Sequence, residues 1–328
     1  MHSSRKYIRS TLFIILCVSI TTLLYYAVVP SSIARVELHN LRSQSYDDLF
    51  IGGSHGLSSI NPEVIDQQTK KTSTNLCLPG EYMRDSYYIV KEACRTYKPR
   101  RIIYELDPSY WSTPENSGVN ATYIYKNLPF SSVKIEYFFN KMISEDWRNT
   151  LSYWYYYKHR YPEIQANIQI KNSKDYQNYG VEHLSTDTQI YTKEGYLYQK
   201  KPPNSLPQNP EFVLWNETTI QENQEIFFKK LVGYCKKEQI ELVAITTPVP
   251  QETLDKYPEV YDSANRYFTE LMKKNGVNYR DFNVGAEDEI DRNISGYVDY
   301  EGHMSGELGN QFSVILGQYL NHIPKVKD

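Results

Sequence analysis

Residues 11–29, TLFIILCVSITTLLYYAVV, run for 19 positions without a charge and stop at Pro30. A helix rising ~1.5 Å per residue carries such a run about 28 Å, close to the ~30 Å thickness of a bilayer's hydrocarbon core. Arg5, Lys6 and Arg9 precede it with no acid among the first 30 residues. That basic flank is expected to stay cytoplasmic, which puts the chain from about residue 33 outside the cytoplasm. A cleaved signal peptide is the rival reading, but its apolar region is normally only ~7–15 residues and ends at a small-x-small site that this sequence lacks. A buried helix of a soluble fold is the third reading. The expectation is an uncleaved single-pass anchor: a cytoplasmic flank at 1–10, a span at 11–30, a connector at 31–45 and one extracytoplasmic domain at 46–328.

Beyond the anchor the chain is polar and mildly acidic. The whole sequence carries 36 basic and 39 acidic residues, a net −3, and removing the three N-terminal bases leaves −6 for the remainder. This balance gives no footing to a nucleic-acid binder, which needs a basic surface. A polytopic membrane protein is likewise excluded. Cys17 lies in the span; Cys77, Cys94 and Cys235 lie beyond it, too sparse for a disulfide scaffold and without metal-ligand spacing. A Cys77–Cys94 bridge and three buried thiols both remain open.

Residues 47–56, DDLFIGGSHG, read as a strand running into a Gly-Gly-Ser turn. EYMRDSYYIVKEACRTY, 81–97, gathers Tyr88, Val90, Ala93 and Cys94 on one side of a helix, and RRIIYELD, 100–107, reads as a buried strand. Strand, helix, strand is the unit of a parallel α/β sheet whose strand ends collect on one edge. Helices over roughly 129–160 and a polar excursion make 108–225 an insertion. Helix 227–239, strand 240–250, helix 259–275, strand 277–283 and a closing helix from about 306 restore the α/β rhythm. Tyrosine is abundant, 31 against 11 phenylalanines, and its densest cluster, LSYWYYYKHRY at 151–161, suits either sugar stacking or ordinary packing.

The chemistry-bearing residues sit at the two ends of this domain. Ser54 follows a strand and two glycines, so a tight strand-to-helix turn can expose its hydroxyl at the carboxyl edge of the sheet. His303, in DYEGHMSG just before the closing helix, is the candidate base, and Asp299 the group that orients it. Serine, histidine and aspartate in these roles point to acyl transfer. His55 points away from its neighbour on a sharp turn and is read as a wall of the site. Asp47, Asp48, Glu105 and Asp107 fall at two separate strand ends without a ligand pattern. No metal and no cofactor are expected.

FIGGSHGLSSINPEVID (50–66), NLCLPGEYMRDSYYIVKEACRTYKPRRIIYELD (75–107) and YVDYEGHMSGELGNQFS (297–313) together resemble the SGNH-hydrolase superfamily. The resemblance is to its membrane-anchored cell-envelope branch, which includes proteins similar to the D-alanyl-lipoteichoic acid biosynthesis and alginate O-acetylation proteins. It implies a three-layer, flavodoxin-like α/β fold with a mainly parallel sheet after one transmembrane helix. It implies Ser54 as nucleophile, His303 as base and Asp299 as its partner. The family form spaces acid and histidine three apart, whereas here they are four apart, and Glu301 is the alternative acid. No counterpart of the family's asparagine-containing block is evident, so the oxyanion hole falls to the Ser54 and Gly80 backbone N–H groups with Asn75. The implied function is transfer of an acyl group, most plausibly acetyl, to or from a cell-surface polysaccharide or teichoic-acid-like polymer, with a membrane-bound acyltransferase as the acyl donor for the transferase form. A non-catalytic envelope assembly factor and a glycan-binding protein using the 151–161 aromatics are the alternatives.

Overall fold

The computed structural model describes residues 2–323 apart from 116–118, 146, 202–206, 208–210 and 286–288. Its first helix, α1 (His2–Val28), contains a 24-residue apolar stretch, Arg5–Val28, long enough to cross a membrane, and almost all of that stretch is exposed. Such a helix is consistent with a membrane anchor or a signal sequence. α2 (Ile33–Ser43) follows after Pro30. The stretch expected to be a connector or short helix is a helix, and its Ile33, Ala34, Val36, Leu38 and Leu41 are buried in the same core as the sheet.

The sheet has five parallel strands. β1 (Asp48–Gly52), β2 (Ser73–Asn75) and β3 (Arg101–Glu105) come first in sequence. A separate antiparallel hairpin, β4 (Gln189–Tyr191) and β5 (Leu197–Gln199), follows in the insertion, and β6 (Glu241–Thr246) and β7 (Asn278–Asp281) complete the sheet. The order across it is β2-β1-β3-β6-β7. The winding reverses between β1 and β3, and a doubly wound sheet opens a crevice at the carboxyl ends of the strands there. Alternate residues feed two cores: Leu49, Ile51, Ile102, Tyr104 and Ala244 on one face, Phe50, Ile103, Val243 and Ile245 on the other. Helices Met83–Ala93, Glu222–Glu238 and Pro258–Asn275 cover the first face with α2, while the closing helix Gly306–Asn321 presses Leu308, Phe312, Leu316 and Leu320 onto the second.

Local chemistry sets the ends of these elements. Helix Pro62–Thr69 starts with Asn61 accepting the Glu63 N–H at 3.1 Å and proline at its first position, and Pro258 and the left-handed Gly276 bound the 258–275 helix. The insertion is helical but broken: an α-turn at Ser132–Tyr137, a π-turn at Phe138–Met142 and 3₁₀ turns at Trp147–Thr150 and Tyr153–Glu163 replace the continuous helices expected over 129–160. It is tied to the first face by Lys141, whose buried ammonium donates to both Asp85 oxygens at 2.7 Å. All four cysteines are free; Cys77 and Cys94 form no bridge.

Candidate active site

Of the two glycines at the end of β1, Gly52 is there for a steric reason. A Cβ on Gly52, whose φ is 147°, would lie 2.4 Å from the Glu105 carbonyl oxygen, so only glycine lets β1 pass that close to β3. The turn then delivers Ser54 as the first residue of α3 (Ser54–Ser59), whose first N–H groups have no intrahelical acceptor. From the other end of the chain, the loop before the closing helix brings His303 alongside. Ser54 Oγ lies 2.7 Å from His303 Nε2, and His303 Nδ1 lies 2.7 Å from Asp299 Oδ2.

The four-residue spacing is accommodated by a turn around the Asp299 side chain. Its Oδ1 accepts the backbone N–H groups of Glu301, Gly302 and His303 at 3.1, 3.0 and 3.1 Å, leaving Oδ2 for the imidazole. Gly302 sits at φ 128°, a conformation that side chains rarely adopt, and its position against Val249 leaves no room for a Cβ. The histidine's two ring nitrogens are taken by Asp299 and Ser54, and Glu301, close by, lines the adjoining cleft. Burial raises the Asp299 pKa, but its hydrogen bonds and the charge of His303 reverse this and hold it at about 2. Burial pulls His303 down, yet the Asp299 hydrogen bond and the charges of Asp299, Glu301 and Asp107 carry it above 6.5.

His55 is buried, edge-on to His303 with ring centroids 4.6 Å apart, and its Nδ1 lies 3.6 Å from Asp107. Desolvation drives it down to about 4 against the pull of Asp107, and its ring lines the adjoining cleft. His55, Glu301 and His303 bring potential ligand atoms within 4.8 Å of one another, but both ring nitrogens of His303 are already hydrogen-bonded within the triplet. The four acids weighed in the sequence lie at opposite strand ends, Asp48 with Arg101 and Glu105 with Asp107 near the turn.

The oxyanion candidates differ. Leu76 and Leu78 N–H groups donate to Phe50 and Gly52 carbonyls at 2.8 and 3.0 Å, which keeps the chain beside the end of β1 and leads to Gly80 at φ 72°. Asn75 is otherwise engaged. Both its amide N–H groups donate to backbone carbonyls, of Gly56 at 2.9 Å and Ile60 at 2.8 Å, and its oxygen accepts the Cys77 N–H, so this side chain braces α3 and has no donor left for an oxyanion.

Comparison with protein-family models and with curated proteins finds no match to this chain.

Two further residues belong to the site. Glu105 Oε2 accepts the Gly53 N–H at 3.2 Å beneath the serine turn, and desolvation, reinforced by Asp107, raises its pKa to about 8. Tyr110 lies over the serine turn, its ring 3.7 Å from where a Cβ on Gly53 would sit, and burial pushes its phenol up. Neither was legible in the sequence as part of the serine turn, because each reaches it only through the β1–β3 pairing and the turn after β3. Beside the triplet lies a cleft lined by Leu106, Phe212, Trp215, Val249 and Val260 together with His55, Asp107 and Glu301.

Proposed function

We propose that this chain is a serine-dependent acyl-transfer enzyme of SGNH-hydrolase type, held at the outer face of the cell membrane by α1 and acting on esters of a cell-surface polysaccharide or related envelope polymer. The observation that carries the reading is the hydrogen-bonded series Ser54, His303, Asp299 at 2.7 and 2.7 Å. In the first step His303 Nε2 takes the hydroxyl proton while Ser54 Oγ bonds to the ester carbonyl carbon. The resulting oxyanion is met by backbone N–H groups of Ser54 and Gly80. Collapse breaks the carbon–oxygen bond to the leaving alcohol, which receives the proton from His303, and leaves an acyl-serine. A polymer hydroxyl or water then repeats the sequence in reverse. The acceptor decides between transferase and esterase, and a membrane-bound acyltransferase is the donor the transferase form calls for.

Trapping with a fluorophosphonate tests the chemistry directly. Full-length protein is expected to label at Ser54, S54A not at all, and H303A at a rate lowered by roughly 10³-fold or more. Folded wild-type protein that stays unlabelled, together with envelope ester content unchanged in cells carrying S54A, sinks the enzyme reading in favour of a non-catalytic assembly factor.

A further inference from the structure

Where α1 ends, the fold builds a second cavity, far in sequence from the serine turn. It is walled by the last turn of α1, the link to α2 and helices of the insertion. Three cations line it, Arg35, Lys126 and Lys171, and among the described residues no carboxylate does. Such an excess of one charge is unusual for partly buried side chains, which are normally paired.

The three are held differently. Lys171 is committed to structure: its ammonium donates to the Tyr26 and Val29 carbonyls, with the Tyr25 carbonyl 3.4 Å away, and so closes the C-terminal end of α1. Lys126 faces rings instead, 3.2 Å from the Tyr25 centroid and 5.0 Å from that of Tyr153. Arg35 stacks on Tyr176 and Tyr179 at 3.7 and 4.0 Å, and its Nη1 is buried with no hydrogen-bond partner. A buried guanidinium N–H left without an acceptor is costly, and a bound anion would relieve it. The electrostatics agree: desolvation lowers Lys126 to about 7, aided by Lys134 and Lys171, and lowers Lys171 to about 8, aided by Arg35, with no acid opposing either shift.

A guanidinium and an ammonium on the walls of one cavity suit a phosphate, which offers several strong acceptor oxygens. The placement at the end of an apolar helix puts the cavity at headgroup depth. We propose that this cavity binds one phosphate group, of a phospholipid headgroup or of a soluble phosphate ester, through Arg35 Nη1 and Lys126 Nζ. A headgroup held there gives the domain a second attachment to the bilayer beside α1. The proposal rests on α1 as a membrane helix and is independent of the acyl-transfer chemistry.

Native mass spectrometry of the full-length protein in detergent tests it with three probes: dioctanoyl phosphatidylglycerol, glycerophosphoglycerol, which is the same diester without chains, and inorganic phosphate. Saturable one-to-one binding is expected, weakened about tenfold or more by R35M and by K126M, retained by K126R and unchanged by S54A. Binding of the chain-free diester assigns the site to the phosphate itself. Binding confined to the lipid, with the same sensitivity to K126M, assigns it to a membrane headgroup, and binding confined to inorganic phosphate to a free ion. Should R35M fail to fold, the contrast between K126M and K126R decides alone. No saturable binding of any probe, or binding that K126M leaves intact, overturns the proposal.

Discussion

At the residue scale one carboxylate does two things. Asp299 uses Oδ1 to gather three successive backbone N–H groups and Oδ2 to hold the imidazole, so the loop that positions His303 and the group that raises its pKa are the same side chain. The sign of the pH dependence follows. Protonated His303 cannot accept the Ser54 proton, so fluorophosphonate labelling should fall as pH drops through a midpoint above 6.5, where the Asp299 and Glu301 charges have moved it. Asp299→Asn removes the nearer charge, moving that midpoint to lower pH and cutting the plateau rate by roughly 10²–10⁴-fold. Labelling rates of both proteins across pH 5–9 check this, and an unmoved midpoint would remove Asp299 from the mechanism. Gly302→Ala probes the same loop through its backbone. Its φ of 128° and the lack of room beside Val249 predict a loss of about 1–3 kcal/mol of stability and slower labelling, read by thermal unfolding and trapping together.

At the scale of elements, what the sequence made legible was whatever carried a local signal. Strands β1, β3 and β6 are apolar runs, helix Met83–Ala93 has its periodicity, and Ser54, His303 and Asp299 sit in turns rich in glycine. β2 was not visible, because Ser-Thr-Asn has no apolar run and becomes a strand only by pairing with β1. α2 reads from sequence as a connector or short helix, and only the fold shows that its Glu37 and Asn40 are buried with its apolar face. Asn75 and Glu105 show what tertiary structure adds: one braces α3 from below and the other carries the Gly53 N–H. Asn75→Ala takes the side-chain partner from the Ile60 carbonyl and the Cys77 N–H, while the Gly56 carbonyl keeps the Ile60 N–H, and is expected to cost about 2–4 kcal/mol, measured by denaturant unfolding. Glu105 makes a pH-dependent prediction. Its folded pKa is raised from 4.5 to about 8, so the fold favours the neutral carboxyl; that contribution is complete below the unfolded value and is lost as pH rises toward 8. Glu105→Gln stays neutral throughout, so its melting temperature relative to wild type should climb by a few °C between pH 5 and pH 8. A difference that stays flat across that range would mean Glu105 is ionised in the folded protein.

At the scale of the whole molecule, the junction between α1 and the domain decides how the serine is presented. Val28 and Val29 are buried, Asn167 donates to the Val28 carbonyl at 3.1 Å, and the Tyr26 hydroxyl donates to Asn172 at 2.7 Å, so the helix does not leave the domain through a free linker. If α1 is the membrane anchor proposed above, a domain fixed to it in this way would work at a set height above the bilayer, and the proposed polymer would be one still close to the membrane rather than one released from it. The orientation of that arrangement rests on Arg5, Lys6 and Arg9 staying inside. Lys229, exposed on helix Glu222–Glu238 and bound only to Glu225 one turn away, offers a place to test it. Such a surface pair contributes little, so Lys229→Cys should fold normally, and the native thiols at Cys77 and Cys235 are buried. A membrane-impermeant maleimide added to intact cells should label K229C well above the wild-type background, with no further gain after lysis. Labelling that appears only after lysis would place the domain in the cytoplasm, beyond reach of a cell-surface polymer, and the acyl chemistry of Ser54 would then need an intracellular ester.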